Sequence, residues 1–350
     1  MIKSIHIENY KCFQDFTMED IGPFTVLVGP NDSGKTAFLE AIRLLGALPP
    51  GHGQLADQLE KKCGLALGQE VAWRQEDVPI KVSGVIAKCA GEETGIVFRC
   101  TSSDRNLWKY DVAENGQTVP ASEQLEVFNN FLKSPPFYRF APGALRDPSP
   151  LYAGMDETGD GFAAFLDKLN RFNPSGGRQL ESEFCHRFPH YSSVVIDIRP
   201  TTVHVKADHT YRRTDCFILS FRTAHSKLLP VTSVSDGVML SLAFMALRHA
   251  PEPPKVLLIE EPENGVHPGS LKEIVKTLRE LSEKGTQIIL TTHSPYLVDE
   301  VQPEEVRVFA KDEEGAVHAK RLSEYPDVEE MKKHLMTGEI WSALNEAHGI

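Results

Sequence analysis

Apolar positions recur along this chain in three rhythms, and each predicts a different kind of element. Residues 2–8 set Ile2, Ile5 and Ile7 among polar neighbours, the alternation of a half-buried strand, before Asn9, Tyr10, Lys11, Cys12 and Phe13 interrupt it. Continuous apolar runs at 24–28, 256–259 and 287–291 read as strands, the second of them as a central parallel strand covered on both faces. Helical spacing appears at Phe162, Phe165, Leu166 and Leu169, and again at Leu271, Ile274, Val275, Leu278 and Leu281, with Ser270 and Glu273 as a capping box and Gly285 as the stop. Residues 238–247 are apolar on nearly every face. They predict a buried helix with Ser235 as its N-cap and Asp236 in its first turn.

The remaining segments fill in an α/β chain. Strand candidates at 70–74, 80–87, 95–101 and 107–112 predict an antiparallel β subdomain. Residues 135–161, dense in proline, glycine and aspartate, read as ordered loop. Helices are expected at 162–170 and 180–188 around a turn at 173–177, with strands at 193–198, 203–207 and 216–221, so a mainly helical subdomain is inserted between two sheet regions. The strand at 256–259, the helix at 271–281 and the strand at 287–291 form a right-handed crossover. The tail adds strands at 306–310 and 316–322 and a helix at 327–336. No internal repeat or long heptad run is present.

Composition narrows the classes. The chain has 350 residues, 41% of them hydrophobic, and a formal net charge of −12, which opposes general attraction to a polyanion. Basic clusters at Arg139 with Arg146, at Lys168 with Arg171 and Arg178, and at Lys206 with Arg212 and Arg213 read as solvated surface. Six cysteines without a CxxC pair suggest reduced structural thiols and no zinc site. With no unbroken apolar span and no signal-peptide block, the expectation is a cytoplasmic chain with no membrane partner.

The chemistry concentrates at Gly29, Pro30, Asn31, Asp32, Ser33, Gly34, Lys35 and Thr36, which fill every fixed position of a phosphate-binding P-loop. Glycines let the backbone N–H groups wrap a phosphate chain, Lys35 reaches β and γ oxygens, and the Thr36 hydroxyl is a Mg²⁺ ligand. Strand before and helix after are the context this motif requires. The later run Leu257 to Ile259 delivers Glu260 and Glu261 to the C-terminal edge of a strand, where open α/β sheets bind ligands.

Leu257 to Pro262 resembles a Walker B motif, Ser235-Asp236-Gly237 resembles the ABC signature, and Thr291 to Pro295 resembles the segment of the switch histidine, His293. All occur in the order of ABC-type ATPase heads. The strings from Glu260 to Pro268 and from Thr291 to Pro295, the opening Ile5 to Phe13, the segment 159–169 and the closing Gly338, Glu339, Ile340 and Trp341 resemble stand-alone AAA-family ATPases of the ABC class, related to the ATPase half of OLD-family nucleases and to SMC and recombination-repair heads. The resemblance implies one P-loop NTPase head over 1–350, with a central mixed or parallel sheet, an antiparallel β subdomain and an inserted helical subdomain. Its parts would be a P-loop lobe at 1–135, a loop and mainly helical insertion at 136–233, and a signature, Walker B and switch lobe at 234–350.

The same resemblance implies ATP and Mg²⁺ as ligands and a homodimer, or a higher even oligomer, closed by an ATP sandwich. Glu260 with Thr36 would hold the Mg²⁺ shell, Glu261 would activate water, and His293 and Lys35 would contact the γ-phosphate. Ser235, Asp236 and Gly237 would approach the nucleotide of the opposite subunit. Asn264 and His267 sit where the D-loop of the family crosses to the partner, and Asn9, Lys11, Tyr10 and Phe13 are candidates against the adenine or in the core. Glu260 replaces the usual aspartate and SDG replaces SGGQ; the Q-loop is sought near Arg139 to Pro142. The implied role is an ATPase that drives or gates a separate nuclease or toxin subunit in anti-phage defence or DNA repair, with direct DNA contact left open. A weakly hydrolysing nucleotide-sensing scaffold is the alternative.

Overall fold

The computed structural model describes residues 1–47, 54–55, 80–87, 95–104, 107–114, 117–120, 123–124, 135–205 and 210–348; the expected strand at 70–74 lies outside them. Elements run in the order β1 (Ile2–Tyr10), β2 (Phe13–Met18), β3 (Phe24–Val28), α1 (Lys35–Ala47), β4 (Gln54–Leu55), β5 (Lys81–Ala87), β6 (Gly95–Asp104), β7 (Leu107–Glu114), β8 (Gln117–Thr118) and β9 (Phe137–Tyr138). They continue with β10 (Ser149–Pro150), α2 (Phe162–Phe172), α3 (Pro174–Arg187), β11 (Tyr191–Val205), β12 (Thr210–Thr223), β13 (Leu228–Pro230), α4 (Asp236–Arg248), β14 (Val256–Glu260) and α5 (Pro268–Glu283). β15 (Gln287–Thr291), α6 (Pro295–Val298), β16 (Val306–Lys311), β17 (Val317–Arg321), α7 (Val328–Met331) and α8 (Thr337–His348) complete the chain. Two compact units interleave in sequence: 1–137 with 254–261 and 282–350, and 138–253 with 262–281.

The first unit holds two sheets. One is antiparallel, ordered β2-β1-β5-β6-β7-β4 with β8 on β7, as the alternating patterns predict. The other is ordered β17-β16-β3-β15-β14-β9, and its centre, β16-β3-β15-β14, is parallel. All five residues of β3 and of β15 are buried, because a parallel strand covered on both faces has no polar side. Helix α1 shares one core with both sheets: Phe38, Leu39, Ile42 and Leu45 join Ile5, Ile7 and Val82 of the antiparallel sheet and Leu27, Leu258 and Ile289 of the parallel one. Buried Gln287 knits the sheets together. Its amide accepts from Ile2 N–H at 2.7 Å and donates to Ile2 O at 2.8 Å and Gly22 O at 2.9 Å.

The second unit carries α2, α3, α4 and most of α5 together with a small antiparallel sheet ordered β10-β12-β11, β13 pairing with β12. Helices and strands thus occur together in it, as the expected helices at 162–170 and 180–188 and strands at 193–198 and 216–221 imply. The short strand expected at 193–198 and residues 203–205 of the one expected at 203–207, whose last two residues lie outside the described ones, are stretches of the one strand β11, which runs through Pro200; β11 is an edge strand, where a missing N–H costs no ladder bond. Helix α3 begins at Pro174, inside the expected turn, because Asn173 caps it: its Oδ1 accepts from Gly176 N–H at 3.1 Å and proline occupies the first turn. Helix α5 begins at Pro268, two residues before the anticipated capping box, and the His267 ring Nδ1 accepts from Gly269 N–H at 3.1 Å.

The tail also departs from expectation. Helix α7 stops at Met331, and the longer helix is α8, whose Ile340, Trp341 and Leu344 are buried at helical spacing. Lys332, Lys333 and His334 supply no apolar stripe that would extend α7. Among the described residues, no helix is long and apolar enough to cross a membrane.

Candidate functional site

The P-loop links β3 to α1 in the first unit. Gly29 has φ +141°, and a Cβ there would stand 2.2 Å from Phe309 O of β16; Gly34 has φ +100°, and its Cβ would press on Cys12 Sγ. Asp32 also adopts a left-handed φ of +62°, so the loop curls tightly around its own centre, and the Asp32 carboxylate pairs with Lys311 at 2.5 Å. Ser33 is buried, while Asn31, Asp32 and Thr36 are exposed.

Lys35 lies folded back across the loop. Its ammonium donates to Gly29 O at 2.9 Å and Pro30 O at 2.7 Å, with Ser33 Oγ at 3.5 Å. Burial lowers its pKa, and the nearby Glu261 and Glu260 carboxylates pull it back up. A buried ammonium held on carbonyls, with two carboxylates in its field, is a cation whose partner oxygens can be exchanged for those of a phosphate.

Opposite it, β14 and β15 end side by side in parallel register, Glu260 against Thr291. The Thr36 hydroxyl donates a hydrogen bond to the Glu260 carboxylate. The chain leaves β14 with Glu261 at φ +44°, a left-handed conformation costly for a residue with a side chain, and anchors there through Glu261 N–H to Thr291 O at 3.0 Å. This places Glu261 Oε1 3.5 Å from His293 Nε2, both side chains 35% exposed. The backbone around His293 is pinned by Thr292 N–H to Leu27 O at 3.0 Å and Ser294 N–H to Thr292 Oγ1 at 3.0 Å. Lys35, Thr36, Glu260, Glu261 and His293 thus belong to one unit and one end of one sheet.

The other sequence candidates are divided between the two units. Asn9 is buried, and Tyr10 and Phe13 are fully buried in the core, where Phe13 joins an aromatic cluster with Phe16, Phe38 and Phe309. The Lys11 ammonium pairs with Glu40 of α1. Ser235, Asp236 and Gly237 open α4 in the second unit; Ser235 stands at the N-cap with its side chain making no cap hydrogen bond, contrary to the capping role predicted for it. Asn264 and His267 are exposed in the same unit. Arg139 pairs with Glu157 at 3.0 Å, and Arg146, read from sequence as solvated, has a side chain only 16% exposed. Two of its partners, Val234 and Asp236, are 88 and 90 positions away and so lie outside any local pattern, as does Asp32 for Lys311.

The residues present fit the ligands that a P-loop requires. Thr36 and Glu260 offer convergent hard oxygen donors suited to Mg²⁺, and the loop offers N–H groups and an ammonium suited to phosphate. Among the described residues no cluster of three or more metal-binding side chains occurs, so the chain alone would supply only part of a metal shell.

Comparison with known proteins gives the family and the fold. Residues 160–299 match the family described as "AAA domain, putative AbiEii toxin, Type IV TA system", and residues 1–61 match "AAA ATPase domain". The OLD nuclease of Thermus scotoductus is 23% identical over 367 aligned positions, covering 91% of this chain. This chain spans 63% of that relative's length. Among solved structures, an SMC head bound to the C-terminal winged-helix domain of ScpA aligns over 91% of this chain and 97% of its own, with a TM-score of 0.64 at 14% identity. An SMC head with an extended coiled coil, bound to the C-terminal domain of ScpA and derived from Pyrococcus furiosus, covers 95% of this chain and 99% of its own, with a TM-score of 0.58 and 14% identity. At that identity the likeness shows the fold, that of an ABC-type ATPase head.

Proposed function

We propose that this chain, an ATPase of the AAA/ABC class related to OLD nucleases and SMC heads, binds and hydrolyses ATP between two copies of itself and uses the cycle to gate a partner. The observation that carries the reading is the convergence of Thr36, Glu260, Glu261 and His293 at the sheet end beside the P-loop.

In this reading the loop N–H groups from Gly29 to Thr36 and the N-terminal end of α1 bind the β- and γ-phosphates. Lys35 exchanges the carbonyls of Gly29 and Pro30 for phosphate oxygens. Thr36 and Glu260 would hold Mg²⁺, which when bound would offset charge on the phosphates. Glu261 orients a water and takes its proton as the water oxygen bonds to the γ-phosphorus; the bond to the ADP oxygen breaks and phosphate departs. His293 donates to the γ-phosphate and holds Glu261 at its working position. The exposed Ser235 and half-buried Gly237 at the start of α4 supply the remaining contacts from a second copy, with Asn264 and His267 at that interface.

The relatives support a gating role: an OLD nuclease carries further sequence beyond the part matched here, and an SMC head binds a ScpA domain. We therefore assign the work done by ATP to control of a nuclease or toxin effector in defence or repair. The test is steady-state phosphate release with molecular mass measured in parallel, with and without ATP. Turnover together with an ATP-dependent shift to a dimer supports the reading, and absence of both removes it.

A further inference from the structure

Arg146 lies in a single helical turn, Ala144–Arg146, within the loop that precedes α2. Its Nη2 donates to Val234 O at 2.7 Å and to Asp236 Oδ1 at 2.6 Å, and its Nη1 donates to Pro142 O at 3.0 Å. Val234 and Asp236 are the two residues that flank Ser235. One guanidinium therefore brackets the exposed serine from both sides, while the serine side chain itself makes no cap bond that would fix the turn. Two of the three acceptors are backbone carbonyls, so the clamp holds main chain as well as charge. A planar fork suits this; a lysine ammonium has the charge without the fixed spread of donors.

The loops that the clamp joins also pack against the segment that follows Glu260 and Glu261. Gly265, at φ +81°, lies so close that a Cβ there would be 3.3 Å from Pro142 Cγ, 3.4 Å from Leu240 Cδ1 and 3.8 Å from Asp236 Cβ. The turn at 265 thus packs on Pro142 and Asp236, the two side chains at either end of the loops that Arg146 joins.

Charge gives the arrangement a second purpose. The first turn of α4 presents free N–H groups and the positive end of the helix, as an anion site should, yet it also carries the Asp236 carboxylate. An unpaired carboxylate there would repel a phosphate; Arg146 neutralises it and turns it aside.

We infer that Arg146 is a positioning residue for the signature: it holds the backbone on both sides of Ser235 and neutralises Asp236 so that α4 can accept the γ-phosphate of a second copy's nucleotide. This deepens the ATPase reading above and rests on it. Nucleotide affinity at the P-loop, which lies in the other unit, is independent of the clamp; the hydrolytic step depends on it.

The test compares the full chain with R146A, R146K, D236N, S235A and the doubles R146A/D236N and R146A/S235A, measuring kcat, KM for ATP and binding of a fluorescent ATP analogue, with far-ultraviolet dichroism as a fold control. R146A should lower kcat about ten- to a hundredfold with analogue affinity within about twofold of wild type. R146K should recover only a minor part. D236N in the R146A background should restore several-fold, because the uncompensated carboxylate is gone, and R146A/S235A should be no slower than S235A, the signature of residues acting as one unit. Wild-type kcat in R146A or R146K beside a slow S235A overturns the proposal and leaves the ATPase reading standing. A wild-type rate in S235A overturns the signature assignment and the proposal with it. If R146A does not fold, R146K decides: a normal rate in R146K overturns the inference, and a slow R146K with wild-type analogue affinity upholds it.

Discussion

The Thr36 hydroxyl donates its hydrogen bond to Glu260, a carboxylate 224 positions further along the chain. Thr36 follows β3 and Glu260 ends β14, and these strands are not neighbours; β15 lies between them. The bond therefore spans the mouth of the sheet, and the residues on either side of it, Lys35 and Glu261, face the same space. Two oxygen donors that touch across the mouth are of the kind that suits a hard divalent cation.

This relationship predicts a metal-dependent phenotype. Thr36→Val removes one donor and should weaken binding of ATP in the presence of Mg²⁺ by about tenfold or more, while binding of ATP with the metal chelated changes far less. Calorimetric titration of both variants, with and without Mg²⁺, reads the difference directly; equal losses in both conditions would assign Thr36 to the loop's structure instead.

Gly29 predicts a local steric failure. An added methyl group would meet Phe309 O at 2.2 Å in a backbone conformation unfavourable to any side chain. Gly29→Ala should cost at least about 2 kcal/mol and depress nucleotide affinity together with stability. Denaturant unfolding checks the first effect and analogue binding the second.

Gln287 predicts a loss from unmet polar demand. Gln287→Leu keeps the volume but leaves Ile2 N–H, Ile2 O and Gly22 O without their partner in a fully buried place. The expected cost is about 2–4 kcal/mol, far above the change for a surface Gln→Leu, and is measured by urea midpoint at constant m-value.

Cys12, wedged behind Gly34, predicts a pH effect. Burial raises its thiol pKa, with Lys311 and Lys11 opposing less strongly, so the folded state favours the neutral thiol. The sign follows: once pH passes the ordinary thiol value of about 8.5, the unfolded chain ionises first and Cys12 contributes progressively less stability. Iodoacetamide should modify Cys12 more slowly in the folded chain than in urea at pH 8, as read by peptide mass spectrometry; equal rates would contradict the assigned burial.

Much of this architecture is legible in sequence wherever one local rule decides. The P-loop announces itself because a phosphate cradle needs glycine, lysine and threonine at fixed offsets, and β3, β14 and β15 announce themselves because a doubly covered strand has no polar side. What stayed hidden depends on partners far along the chain. Arg146 looks like any surface arginine until Val234 and Asp236 come beside it. Continuity of β11 through Pro200 was hidden because proline breaks a strand pattern everywhere except an edge, and edge status belongs to the sheet. The start of α3 lies inside the expected turn at 173–177 because Asn173 as N-cap and Pro174 in the first turn begin a helix there in spite of Gly176 and Gly177.

The central claim is that Glu261 activates the water attacking ATP. Phosphate release and molecular mass should be measured for wild type and Glu261→Gln. The account predicts that the glutamine variant binds ATP normally, loses about two to four orders of magnitude in kcat and accumulates as an ATP-bound dimer. A Glu261→Gln variant that hydrolyses ATP at the wild-type rate would contradict it.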